Sequence, residues 1–130
     1  MSIVPLTLSL LPETLAICRF EPGTPLPQWL PTNTFFSLTN TNDELSLVCA
    51  MEGVPNDVKA DGNWRGFKLH GPFPFSLVGI LNSVTIPLAE ANIGIFAIST
   101  YDTDYVLVKE SNLSRAIMTL REAGHIIHTL

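Results

Sequence analysis

Asp102 and Asp104 lie two residues apart in Ser99-Thr100-Tyr101-Asp102-Thr103-Asp104, a segment that also carries hydroxyls at Ser99, Thr100 and Thr103 and a phenol at Tyr101. Carboxylates among hydroxyls suit charge-assisted hydrogen bonding to an ammonium or guanidinium group. They do not make a nucleophilic machine. No histidine neighbours Ser99 or Cys49, and the chain has neither a nucleophile elbow nor a phosphate-binding glycine loop. Asp104 runs directly into Tyr105-Val106-Leu107-Val108 and is read as a ligand contact, whereas Asp102 is read as a turn former whose side chain bonds nearby backbone. If both were extended they would share a face. A metal would need further carboxylates or histidines close by. His70, His125 and His128 follow no ligand spacing and read as structural. His70, beside Gly71-Pro72, is the one nearest the candidate site.

The elements that hold this segment can be read on either side of it. The β-branched, apolar runs Ile95 to Ile98 and Tyr105 to Val108 predict a strand-turn-strand. Before them, Leu77, Ile80, Leu81, Val84, Leu88 and Ala91 recur at helical spacing, predicting a helix over 76–91 with Ser76 as N-cap. Pro87 predicts a kink near Ser83 or a break, and Asn92 and Gly94 close the helix. After the hairpin, Ser111-Asn112 caps a second helix with an apolar stripe at Leu113, Ala116, Ile117, Leu120 and Ala123. Gly124 ends it, and residues 125–129 read as an edge strand.

From Arg65, where a strand runs to His70, the order is strand, helix, strand, strand, helix, strand. This is the split βαβ pattern of an α+β, ferredoxin-like fold. The first half looks like a degenerate copy with its helices shortened by proline. Leu6 to Leu11 and Leu15 to Phe20 predict a hairpin broken at Pro12-Glu13-Thr14, and Phe35 to Leu38 with Leu45 to Met51 predict a second one. Between the hairpins stand Pro22, Pro25, Pro27 and Pro31, with Trp29 as a core plug; Trp64 is read the same way. Turn formers from Glu52 to Asn63 divide the chain into a subdomain over 1–63 and a domain over 64–130.

Composition narrows the partners. The 130 residues are 46% hydrophobic, enough for one ordinary domain or two very small ones, and carry a net charge of −5 with seven Lys and Arg that never cluster. Nucleic acid and anionic membranes are excluded as expected partners. No stretch reads as a signal peptide or a membrane span. Cys18 and Cys49 sit in separate apolar runs without CxxC spacing and read as buried, reduced thiols, which suits a cytoplasmic protein.

Three segments together carry a family resemblance: Leu69-His70-Gly71-Pro72-Phe73-Pro74-Phe75-Ser76-Leu77-Val78-Gly79-Ile80-Leu81, Pro87-Leu88-Ala89-Glu90-Ala91-Asn92-Ile93, and Ile95 to Val108 with its Ser-Thr-Tyr-x-Thr-Asp centre. They resemble the ACT-domain proteins of the branch that includes the arginine-sensing CASTOR proteins, closely from Trp64 to Gly124 and loosely before it. The resemblance implies a regulatory, non-catalytic module that senses a free amino acid at an interface between paired domains and needs no cofactor or metal. It also implies ligand contacts from Gly79 and Ile80 at the helix start and from Thr100, Tyr101 and Asp104 in the turn, with Gly94 and Ile95 contributed by the opposing domain. A single well-formed copy then implies a homodimer, with a regulated protein as a further partner. Where the arginine sensors carry an acid two positions before the glycine, this chain has Leu77, so the resemblance does not imply arginine as the ligand. The alternative is a scaffold or protein-interaction module whose pocket is vestigial.

Overall fold

The computed structural model describes residues 3–130. Seven strands and two helices follow one another as β1 (Thr7–Phe20), β2 (Phe36–Asn40), β3 (Leu45–Ala50), β4 (Lys59–Leu69), α1 (Ile80–Glu90), β5 (Ile95–Ser99), β6 (Asp104–Lys109), α2 (Leu113–Glu122) and β7 (Ile126–His128), with one 3-10 turn over Glu110–Asn112. They form two compact units, one of residues 1–12 with 65–130 and one of residues 13–64. The strands β1 and β4 run from one unit into the other. No helix among the described residues is long and apolar enough to cross a membrane.

The first unit holds the βαββαβ series from β4 to β7, in strand order β7-β1-β4-β6-β5. β6, the second strand of the hairpin, lies beside β4 as a split βαβ unit requires. The first part of β1 stands between β4 and β7, and pairs with β7 in parallel, Leu8 opposite Ile127. Alternation sends Leu8 and Leu10 of β1, Phe67 and Leu69 of β4, and Val106 and Val108 of β6 to one side. There they meet Ile80, Val84 and Leu88 of α1 and Ala116 and Leu120 of α2 in a single cluster.

The second unit has the strand order β2-β3-β1-β4, the same relation of hairpin to first strand, but loops where the helices of such a unit would be. Pro22, Pro25, Pro27 and Pro31 fill the first of these loops and deny it helical hydrogen bonds. Leu30 and Trp29 from that loop, with Val54 and Val58 from the second, cover Ala16, Cys18, Leu47 and Cys49. Trp29, half-buried, therefore packs against this core, whereas Trp64, also half-buried, lies outside it and donates its indole N–H to Asp61 Oδ1.

Four local expectations are corrected. The hairpin around Pro12 is one continuous strand of 14 residues, and Pro12 passes through at an exposed point. Helix α1 begins at Ile80, four residues later than the apolar spacing suggests, because Gly79 takes a left-handed conformation (φ 86°) and serves as the N-cap in place of Ser76. Finally, α1 runs unbroken through Pro87, and the carbonyl of Ser83 accepts its bond from His125 instead. Polar residues assigned to the loop after Glu52 also continue into β4, where Asn63 adopts a positive φ of 62°.

Candidate ligand-binding site

The polar segment forms a tight turn whose hydrogen bonds come from its threonines. The Thr100 N–H donates to the Thr103 carbonyl at 2.8 Å, and the Thr100 hydroxyl donates to the same oxygen at 3.1 Å. The Thr103 hydroxyl, buried, donates to the Leu69 carbonyl at the end of β4, 2.7 Å away. Asp102 takes part through its backbone, accepting the Phe73 N–H at 2.9 Å. Gly71 is packed so closely here that a Cβ would lie 2.8 Å from the Asp102 carbonyl oxygen. This turn is therefore clamped by the segment that leads from β4 to α1. Asp102 was expected to hold the turn through its side chain; the threonines do so because their hydroxyls reach backbone partners within the turn.

Asp104, the first residue of β6, lies opposite Ser99, the last of β5. The Ser99 hydroxyl donates to Asp104 Oδ1, which orients the carboxylate and leaves lone pairs for another donor. Asp104 opens onto a cleft of about 210 Å³ lined from the turn by Thr100, Tyr101 and Asp102, and from the opposite wall by Phe73, Leu77 and Ile80. Tyr101 packs edge-on against Phe75, ring centroids 5.3 Å apart. Both rings are largely in solvent, 82% and 77% exposed, with Val78 at 88% beside them in sequence.

Four of the seven residues assigned to the site thus meet in one cleft: Ile80, Thr100, Tyr101 and Asp104. Gly79 is the neighbour of Ile80 and sets the start of α1, whose first turn has no side-chain cap and no acidic residue. Its backbone N–H groups have no carbonyl within the helix to bond. Gly94 and Ile95 stand at the other end of β5 from the turn, roughly 15–20 Å along the strand at about 3.3 Å per residue. A single chain does not bring them to the cleft. Phe73 and Phe75, which line it, carried no signal of their own beyond the proline-rich segment between β4 and α1, and Leu77, also in the lining, was read as part of the helical stripe and as the departure from the arginine sensors.

Nothing among the described residues gathers three or more metal-ligating side chains. Cys18 and Cys49 are free and buried. Their strands pair so that Cys18 faces Leu47 and Cys49 faces Ala16. A hydrogen bond between the two thiols, with burial adding to it, pushes Cys49 far above the usual thiol range; the same bond lowers Cys18 against the opposing effect of burial.

Similarity to known proteins sets this architecture in a family. The ACT-domain family model matches residues 59–122, and a second model, of an N-terminal domain, matches residues 13–57. The chain belongs to the ACT-domain family. It is 34% identical over 99 residues to the human protein CASTOR3P, covering 66% of this chain and 61% of that protein. It is also 34% identical over 97 residues to the cytosolic arginine sensor for mTORC1 subunit 1 of Bos taurus, covering 66% of this chain but 30% of the relative. The chain therefore spans less than two thirds of the length of these relatives. A solved structure of protein Atu0741 from Agrobacterium tumefaciens superposes with a TM-score of 0.91 at 38% identity, over 98% of this chain and 95% of that one.

Proposed function

We propose that this protein is a regulatory sensor of a free amino acid, and that its pocket lies between two domains, completed by a second copy of the chain. The observation that carries the reading is the cleft itself. It joins Ile80, in the uncapped first turn of α1, to the Thr100–Thr103 turn and holds one oriented carboxylate, Asp104. An α-amino acid has matching ends: its carboxylate suits the helix start and its ammonium suits Asp104. At about 210 Å³ the cleft is smaller than the roughly 300–1,000 Å³ usual for a complete small-molecule site. Gly94 and Ile95, too far away in the same chain, would supply the missing wall from the partner. In this reading residues 64–130 are the ACT domain and residues 1–63 its degenerate ACT-like companion. The protein is cytoplasmic and non-catalytic, and needs no cofactor. Ligand contacts from both copies favour one dimer arrangement over another, and a regulated protein reads the difference.

The test is thermal unfolding in the presence of each of the twenty amino acids, with mass measured in solution. Ligand at a hundred times its dissociation constant stabilises the folded state by about 2.7 kcal/mol. A dimer stabilised by one amino acid and unresponsive after Asp104→Ala is the expected result. A monomer unaffected by all twenty at millimolar concentration overturns it. One feature favours a second reading, a protein-interaction module with a vestigial pocket: Phe75, Leu77, Val78 and Tyr101 are all exposed and adjoin the cleft. That module would bind its partner equally well with Asp104 replaced.

A further inference from the structure

A second cavity, of about 490 Å³, shares only Asp102 and Thr103 with the first and is otherwise lined by Ser9, Lys68, His70 and Gly71. Its origin is strand alternation. Leu8, Leu10, Phe67 and Leu69 face the core, so Ser9 of β1 and Lys68 of β4, with His70 directly after β4, face away from it. Ser9 and His70 are hydrogen-bonded side chain to side chain. His128 of β7 lies opposite Ser9 in the parallel pair, its ring 5.8 Å from that of His70. The lining thus sets a hydroxyl and an imidazole beside an ammonium group, with the His128 ring next to that of His70 outside the lining.

Two charges in this cavity have nothing to answer them. Among the described residues neither the Lys68 ammonium nor the Asp102 carboxylate makes a hydrogen bond or an ion pair. Asp102 is held at the rim by its backbone, through the bond from Phe73 and the close packing on Gly71, which leaves its exposed carboxylate free to meet a ligand. Unused charges of opposite sign in one recess match a molecule that carries both. The cavity also has the volume of a complete small-molecule site from one chain alone, unlike the cleft at Asp104.

We propose that this recess is a second, separate site for a zwitterionic α-amino acid. The carboxylate of the ligand meets Lys68 and the Ser9–His70 pair, and its ammonium meets Asp102. Because Asp102 and Thr103 belong to both cavities, occupancy here bears directly on the turn that forms the wall of the other.

The test follows the imidazole resonances of His70 by NMR during titration of the intact protein with glycine, L-glutamine, acetate and inorganic phosphate. A saturable shift with glycine or glutamine is expected. Lys68→Met should weaken it at least tenfold, with the far-UV circular dichroism unchanged. Asp102→Asn should weaken the amino acids but not acetate, and Asp104→Ala should leave the response in place even where the first site has been lost. The proposal is overturned by the absence of saturation with either amino acid, by saturation with phosphate alone, or by a response that Asp104→Ala removes and Lys68→Met does not.

Discussion

Pro87 and His125 form a complementary pair: the proline withholds a backbone donor from the Ser83 carbonyl, and the Nε2–H of the histidine supplies one at 2.7 Å. On the other side of the ring, Nδ1 accepts the Leu6 N–H at 3.1 Å. A carbonyl can only accept and an N–H can only donate, so the tautomer is assigned by the partners: neutral, with the proton on Nε2. His125 is 4% exposed, and every polar atom of its ring is satisfied.

His125→Ala should therefore cost more than a lost contact. It strands the Leu6 N–H and the Ser83 carbonyl in the core, each at about 1–3 kcal/mol, and urea unfolding should register the sum as a lowered midpoint. Pro87→Ala made in that background restores a helical donor to Ser83 and should recover part of the loss. The double-mutant cycle would then show coupling between two side chains that never bond each other; simple additivity would refute the complementarity.

Gly79 offers a cleaner test of backbone conformation. A Cβ at this position meets nothing within 4 Å, yet φ is 86°. Gly79→Ala should destabilise by about 1–2 kcal/mol through the left-handed conformation alone. A thermal melt would measure this, and a neutral result would mean that the start of α1 is not held as described.

Gly71→Ala should be worse for a different reason. Its Cβ would stand 2.8 Å from the Asp102 carbonyl oxygen and 3.2 Å from the Thr103 Cβ, so the backbone must shift. A cost of about 1–3 kcal/mol is expected. Because the clamp on the turn opens, the response of both cavities to amino acids should fall together, read by calorimetric titration of the folded variant.

Thr103→Val keeps the shape and removes one hydroxyl. The Leu69 carbonyl then loses its buried donor, at a cost of about 0.5–1.5 kcal/mol. Amide hydrogen exchange at Thr100 should accelerate as the turn loosens, whereas exchange in the second unit should not change.

Much of this arrangement was legible in the residues. The hairpin around Thr100–Thr103 announced itself by its β-branched runs, and α2 by its apolar stripe, because both depend on local periodicity. What was not legible depends on distant partners. Pro12 marked a break by its missing donor, but a strand tolerates that loss where the position is exposed. Pro87 promised a kink because nothing in its neighbourhood revealed His125. Ser9 and Lys68 gave no hint of a shared recess, since only the pairing of β1 with β4 brings residues so far apart in sequence onto one surface.

The parallel pairing of β1 with β7 joins nearly opposite ends of the chain, Leu8 to Ile127. A closure over that many residues is entropically slow, and everything that depends on it waits for synthesis to reach β7. Residues 13–64 form a contiguous stretch, and their registers can be set while the remainder is still being made. The order of assembly is therefore inverted relative to importance: registers within residues 13–64 can be set first, and the pocket-bearing unit is complete only once Ile126–His128 can pair with β1.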